Sequence, residues 1–357
     1  MPRSPNVEPK PFVLVPIPSE GPKRQPPVTH ERFFDLTGHL GLTFTVVSEY
    51  LFVGSGAYDF DPNARGDRPD VWYTFYRRND QMCVPGTSIK GAVRAIVEAI
   101  SNSCVSQTRR KRSSEEQVRS SSHRPCQFKD ITSSLCPACR LFGTTGYRGR
   151  VHFSDFLPRG EVTKGEIVKI GELWEPKKCD STKRRFYGQK SFQRAGDLRP
   201  TSGFRFVEAV RKETEFQGTL VFENLKEAEL GLLFHALGWA VEEGSALDSR
   251  KAAAGSAQNT RGEQGKVITA FYPKIGGAKP RCFGSVQFNY QTARLRLWHG
   301  NLAGLLASQE LIGNNVTRFF SRCIQESKKG GFLHSESWET LVKECRLRNE
   351  TCPKGVY

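Results

Sequence analysis

The chain is short of apolar runs, of acid and of histidine. No stretch reaches the ~18 apolar residues that a membrane-crossing helix needs, and residues 1–30 hold no apolar segment of the secretory kind. Together these predict a protein that neither spans a membrane nor is exported, and is therefore cytoplasmic. Asp and Glu number 37 against 53 Lys and Arg, leaving a formal charge of +16; a field of that sign favours polyanions, either nucleic acid or an anionic membrane. The seven histidines form no motif, so no general acid–base constellation is legible. His152 and His235 fall within strand and helix patterns. Cysteine is plentiful at ten, and without an export signal these read as reduced thiols, with closely spaced ones as candidate metal ligands. Cys83, Cys104, Cys179, Cys282, Cys323, Cys345 and Cys352 lack a CxxC partner and read as packing or surface residues.

At 357 residues one elaborated domain is expected. Residues 1–40 read as an extended, proline-rich arm and 41–300 as the core. A strand is expected over Leu42–Val53, ended by Gly54 and Gly56. A helix is expected over Ser88–Ile100, where Ile89, Ala92, Val93, Ile96, Val97 and Ile100 follow helical spacing. Residues 101–125 read as a basic loop and Arg150–Phe156 as a strand. The basic, aromatic stretch 177–210 reads as a projecting hairpin. Phe216–Phe222 should be a strand, followed by a helix through Leu237 and a flexible insertion at 242–266. Strands at Ser285–Tyr290 and Arg294–Trp298 precede helical patterns at Asn301–Ser327 and Ser337–Arg346, which make 301–357 a helical extension. The order of elements predicts an α+β fold.

Four segments carry chemistry. Cys136-Pro-Ala-Cys139 places two thiolates within reach of one tetrahedral ion, and a structural zinc site needs two more ligands. His123 and Cys126 supply them, with Cys104 as substitute if His123 is uninvolved; the competing reading is a tight turn with free thiols. Gly86-Thr-Ser-Ile-Lys90 opens a helix, where unpaired N–H groups suit a phosphate and Thr87, Ser88 and Lys90 add donors; the competing reading is a plain N-cap. Gly276 and Gly277, with Lys279, let backbone approach RNA closely, or form an ordinary turn with a surface lysine. Lys183, Arg184, Arg185, Phe186, Tyr187 and Lys190 combine cations for phosphates with rings for bases, as single-stranded RNA requires; the alternative is a solvated charged face.

In chain order, Gly54-Ser-Gly-Ala-Tyr-Asp59, Val84-Pro-Gly-Thr-Ser-Ile-Lys-Gly-Ala-Val-Arg94, Cys136-Pro-Ala-Cys-Arg-Leu-Phe-Gly143, Gly149-Arg-Val-His-Phe-Ser-Asp155, Gly218-Thr-Leu-Val-Phe-Glu-Asn-Leu225, and Lys274-Ile-Gly-Gly-Ala-Lys279 with Phe283-Gly-Ser-Val286 form a pattern over about residues 40–290. It resembles the RAMP superfamily of CRISPR-associated proteins, and within it the guide-RNA-binding backbone subunits of type III and related effector complexes. The resemblance implies a ferredoxin-like, RNA-recognition-motif-like core, a thumb β-hairpin, and a zinc-bearing insertion carrying His123, Cys126, Cys136 and Cys139. It also implies Lys90 and Arg94 on the guide-RNA backbone, and copies stacked along that RNA. The partners it implies are guide RNA, target RNA, further copies of the chain and other CRISPR-associated subunits, with no membrane. Cys282 departs from the usual glycine, and residues 60–81 form a long insertion.

Asp59 matches the position of an aspartate that cutting members use with a divalent cation such as Mg2+. The alternative to a scaffold is therefore a metal-dependent endoribonuclease; Asp61 two residues on also fits a solvated turn. A third possibility, processing of precursor guide RNA, finds no histidine motif to support it.

Overall fold

The computed structural model describes residues 10–105, 123–173, 182–242, 265–298 and 308–353. Its largest sheet is built around the strand Leu36–Val46, whose burial alternates along its length, as a strand with one face on a core must. Glu215–Leu225 pairs antiparallel on one side of it; Arg294–Trp298 and Val286–Phe288 pair antiparallel on the other. Val151–Phe153 and Leu157–Pro158 extend the sheet beyond Glu215–Leu225, and Gln309–Leu311 extends it beyond Arg294–Trp298. At its centre Phe44 meets Phe156, Phe216 and Phe288, with ring centroids 5.5, 5.2 and 5.5 Å away.

The helix Gly86–Ile100 buries Ile89, Val93, Ile96, Val97 and Ile100 in the same core as that strand. Fully burying each such side chain is worth about 1.5–3 kcal/mol, so the apolar stripe seats the helix on the sheet. A second helix, Glu227–Ala236, packs beside it. Its Glu229 is buried and takes Arg150 at 2.6 Å and Arg140 at 3.4 Å. That ion network ties this helix to the short helix Pro137–Phe142, which carries Arg140. The helices Gly313–Lys329 and Ser335–Glu344 complete the α-helices among the described residues. The architecture is α+β with several sheets.

A second sheet runs Glu166–Gly171, Phe204–Arg211, Val71–Phe75, Gly54–Phe60. The last of these is an edge strand, and all its residues are exposed. The single strand expected over Leu42–Val53 is thus divided, one strand ending at Val46 and a two-residue one covering Tyr50–Leu51, and a new strand begins at Gly54, where an end was expected.

The stretch 177–210 does not fold back on itself among the described residues. Lys183–Tyr187 pairs antiparallel with the arm strand Phe12–Pro16, Gln189–Ser191 pairs parallel with Leu347–Thr351 near the other terminus, and Phe204–Arg211 joins the second sheet. Two strands of this basic stretch thus pair with the chain's own N- and C-terminal segments, and no hairpin forms there among the described residues. Most of the 101–125 loop and of the 242–266 insertion, and the first part of the helical pattern from Asn301, lie outside the described residues.

Candidate metal centre and nucleic-acid interface

Cys136 and Cys139 sit at the start of the short helix Pro137–Phe142, whose proline pre-sets the first turn. Cys104 arrives from the segment leaving Gly86–Ile100. There Ser101 Oγ donates to the Val97 carbonyl at 2.6 Å, and Ser103 Oγ accepts from the Ala138 amide at 3.1 Å. The ligand atoms of Cys104, Cys126, Cys136 and Cys139 all lie within 4.8 Å of one another, and all four residues are buried. Cys104 Sγ is 3.5 Å from the sulfurs of both Cys136 and Cys139. A tetrahedral ion with bonds of about 2.3 Å needs sulfurs ~3.8 Å apart, so the four residues fit one. Among the described residues this is the single group of three or more metal-ligating side chains.

The fourth member is Cys104 in place of His123. His123 is buried nearby, and its carbonyl accepts from the Val105 amide at 3.0 Å. That contact lays residue 104 alongside the 123–126 segment and delivers its sulfur to the cluster.

Two arginines assigned to RNA by the sequence face inward beside this centre. Arg94 Nε meets the buried Glu98 at 2.9 Å, its Nη1 donates to the Gly143 carbonyl at 3.0 Å, and its Nη2 lies 3.7 Å from Cys139 Sγ. Arg184 reaches the other oxygen of Glu98 at 3.4 Å and donates to the carbonyls of Ser103 and Cys104 at 3.1 and 3.4 Å. Four thiolates around one divalent ion carry a net charge of −2, and two guanidinium groups offset it. The bonds to backbone carbonyls also hold the ligand loop in position.

The start of the Gly86–Ile100 helix already has an anion: the Gly86 amide donates to Asp155 Oδ1 at 2.9 Å. A Cβ at Gly86 would collide with the Phe153 carbonyl oxygen, so the glycine serves packing. Thr87 is exposed, while Ser88 and Lys90 are half-buried. Burial first, then Arg94, lowers the pKa of Lys90.

Along Lys183–Tyr187, Arg185 lies over the Phe12 ring at 4.2 Å, Tyr187 packs on Phe12 at 5.5 Å, and Phe186 packs on the main core. Lys190 pairs with Glu350 at 2.8 Å. Lys183 is exposed. Most of this stretch thus faces the protein itself.

The glycine-rich turn behaves differently. Gly276, at φ 77°, and Gly277 lie against Phe52, whose carbonyl accepts from the Gly277 amide at 2.8 Å; a Cβ on Gly276 would collide with that same oxygen. The close approach these glycines permit is to the chain's own backbone. Two cations flank the turn. Lys274 donates to the Phe283 carbonyl at 3.1 Å, and burial, with a smaller push from Lys279, lowers its pKa to about 7. Burial alone lowers Lys279 to about 8. No carboxylate contributes to either shift. Cys282 closes the turn in the left-handed region at φ 65° and forms a disulfide with Cys352, so these two cysteines are paired where free thiols were expected.

Asp59 stands in the exposed strand Gly54–Phe60, opposite Trp72, and accepts from the Phe60 amide at 2.9 Å. No cluster of metal-ligating groups includes it among the described residues. Its neighbours Tyr58, Phe60 and Tyr73 and, in the turn, Lys274 were not singled out from sequence. For the three rings the signal was their period-two placement on either side of and within the stretch 60–81, which was read as an insertion. Of the candidate histidines, His235 is fully buried against Trp338 and His152 bonds to the Gly149 carbonyl at 2.8 Å.

The chain thus combines an α+β scaffold, an enclosed thiol centre and a turn bearing two half-buried lysines with a formal charge of +16, a balance that favours polyanions. A family model for the RAMP superfamily matches residues 43–286; the chain belongs to this superfamily and is a CRISPR-associated RNA-binding protein. Comparison with curated proteins gave no match. No helix among the described residues is long and apolar enough to cross a membrane.

Proposed function

We propose that this chain is a backbone subunit of a type III or type III-like CRISPR effector complex, binding guide RNA, stacking with further copies along it and presenting it to target RNA alongside other CRISPR-associated subunits in the cytoplasm. The observation that carries the reading is the RAMP family match over residues 43–286, which contains the turn bearing the half-buried Lys274 and Lys279. Burial lowers the pKa of both lysines, and an RNA phosphate beside them would offset the cost of holding their charge there.

The antiparallel order Val151–Phe153, Glu215–Leu225, Leu36–Val46, Arg294–Trp298, with Gly86–Ile100 and Glu227–Ala236 as the intervening helices, supports a ferredoxin-like core, the split βαβ arrangement. The four-cysteine cluster supports structural zinc, which would hold the ligand loops against the first helix. Thr87, Ser88 and Lys90 remain candidates for guide contacts. Cleavage through Asp59 with Mg2+ has less behind it, since among the described residues no group of three or more metal-ligating side chains includes it.

The test is to purify the protein, sequence the RNA that co-purifies and measure zinc in the same sample. Repeat-derived RNA of discrete length with one zinc per chain is expected. Nucleic-acid-free monomer would overturn the reading. Asp59→Ala in the assembled complex separates the roles: unchanged target cleavage excludes this carboxylate from catalysis.

A further inference from the structure

The strands Gly54–Phe60 and Val71–Phe75 form an antiparallel pair in which Tyr58 faces Tyr73, Asp59 faces Trp72 and Phe60 faces Val71. Alternation puts Tyr58, Phe60, Val71 and Tyr73 on one face, and Asp59 and Trp72 on the other. Tyr73 in turn pairs in register with Val207 of Phe204–Arg211. The ring face therefore continues the apolar face of Val168, Ile170, Val207 and Ala209, which Ala278, Phe283 and Tyr50 cover. Beyond that cover the face is open: Phe60 is 67 % exposed and Tyr58 57 %. Exposed aromatic rings on a sheet are costly to leave in water and call for a partner with flat faces of its own.

The charges choose between partners. The Arg205 guanidinium sits 5.7 Å from the centre of the Tyr73 ring on this same face. From it a continuous route leads to the basic turn: Arg205 faces Glu172 at 3.8 Å, and Arg281, just past Lys279, donates to the carbonyls of Gly171 and Glu172 at 3.1 and 3.0 Å. Of the hairpin's four aspartates, Asp61 accepts from the Asn63 amide at 2.9 Å within its own turn, and two more are turned away or neutralised. Asp59 points to the opposite face, and Asp67 is paired with Arg199 at 2.8 Å. A second copy of the chain would bring another +16 towards Arg205; a polynucleotide brings phosphates and stackable bases together.

We infer that this face is a stacking platform for unpaired bases of single-stranded RNA, with Tyr58, Phe60 and Tyr73 as the rings and Arg205 as the accompanying cation. The inference rests on the RNA-binding reading and adds a second, base-contacting surface to the phosphate-contacting turn. Tyr58 donates its hydroxyl to that of Tyr73, and their rings lie 4.2 Å apart, so the two rings are held in place before any base arrives. Stacking is indifferent to base identity and is lost when bases are paired, so the platform contributes to single strands and not to duplexes.

The experiment is a fluorescence anisotropy titration of labelled single-stranded oligouridine, and of the same strand annealed to its complement, against the full chain and four variants. Phe60→Ala and Tyr58→Ala should each weaken single-strand binding by about 5- to 150-fold, leave duplex binding unchanged and leave the salt dependence as it was; Phe60→Trp should restore affinity. Lys279→Ala should instead weaken both forms and lower the salt slope by about one. Wild-type affinity in both ring variants, with Lys279→Ala impaired, overturns the platform while leaving RNA binding intact. A changed sedimentation mass in Phe60→Ala at unchanged RNA affinity makes the face a protein interface and also overturns it. Failure of the wild type and every variant to bind either RNA overturns the functional reading and this inference with it. Both ring positions are exposed, so their loss leaves folding to the core.

Discussion

The four-cysteine centre and the sheet face bearing Tyr58 and Phe60 use their side chains in opposite ways. Around the centre, Arg94 and Arg184, both from segments that read as RNA-binding, are turned inward onto Glu98, backbone carbonyls and a cysteine sulfur. On the hairpin, rings that read as part of an insertion stand in solvent. A run of basic and aromatic residues says that such groups are present; packing decides which of them are free to meet a ligand. Both Lys183–Tyr187 and Gly54–Phe60 are edge strands, but Lys183–Tyr187 loses most of its reach because Arg185 and Tyr187 lie on Phe12 of the arm and Phe186 packs on the core, while every residue of Gly54–Phe60 stays exposed.

The largest effect should come from breaking the enclosed half of that comparison. Cys104→Ala should abolish stoichiometric zinc and remove much of the binding free energy that a structural site contributes to folding, which is about 10–16 kcal/mol in small zinc domains. His123→Ala should keep the metal. Metal analysis with a thermal melt decides: zinc lost from the histidine variant and retained in the cysteine variant would restore the ligand set read from sequence.

Next is Glu98→Gln, which leaves two inward guanidinium groups without their shared carboxylate. Removing one partner of a buried ion pair costs about 3–5 kcal/mol, and urea denaturation should show a loss of that size. Arg94→Gln should lower stability as well, with RNA affinity and its salt slope nearly unchanged. A salt slope reduced by one in that variant would put Arg94 on the RNA and dissolve the contrast between the two regions.

Much of this was legible in the sequence, and the misses have physical causes. The helix from Gly86, the strands Glu215–Leu225 and Arg294–Trp298, and Cys126, Cys136 and Cys139 follow from local periodicity or spacing. The fourth ligand does not, because Cys104 lies 22 positions before Cys126 in the sequence and only the turn at Ser101–Ser103 brings it across. The pairing of Cys282 with Cys352 spans 70 residues, beyond any local pattern. Asp155 at the helix start was hidden for the same reason: its carboxylate reaches Gly86 from 69 positions away.

A mid-sized effect tests the cover over the inner part of the open face. Ala278 and Phe283, which form that cover, flank the turn that the Cys282–Cys352 bridge fastens. Cys352→Ser should lower stability by about 2–4 kcal/mol under oxidising conditions, as loss of a long-loop disulfide does, and by almost nothing in the presence of a dithiol reductant. Equal stability of wild type and variant in both conditions would mean that the bridge does not form in solution.

The smallest effect is also the most diagnostic for the basic turn. Burial holds Lys274 at about 7 and Lys279 at about 8, against 10.5 for a free lysine. Both folded-state values lie below the unfolded value, so the folded protein binds fewer protons than the unfolded chain between about pH 7 and 10.5. The stability of the RNA-free protein should therefore rise with pH through that window and be lowest below it. A phosphate placed against either ammonium favours the charged form, so binding RNA takes up protons in the same window. Affinity should then fall as pH rises from about 7 towards 10, by up to about tenfold per unit for each lysine that is recharged on binding. Stability and affinity move in opposite directions with one variable, which a general electrostatic attraction from +16 would not produce. Lys279→Gln should roughly halve both slopes between about pH 8 and 10.5, leaving the part due to Lys274, whereas Arg94→Gln should leave both intact, since a guanidinium does not lose its proton here. Anisotropy titrations and thermal melts at matched ionic strength read the two slopes; RNA affinity independent of pH between 7 and 9 would show that neither lysine meets a phosphate.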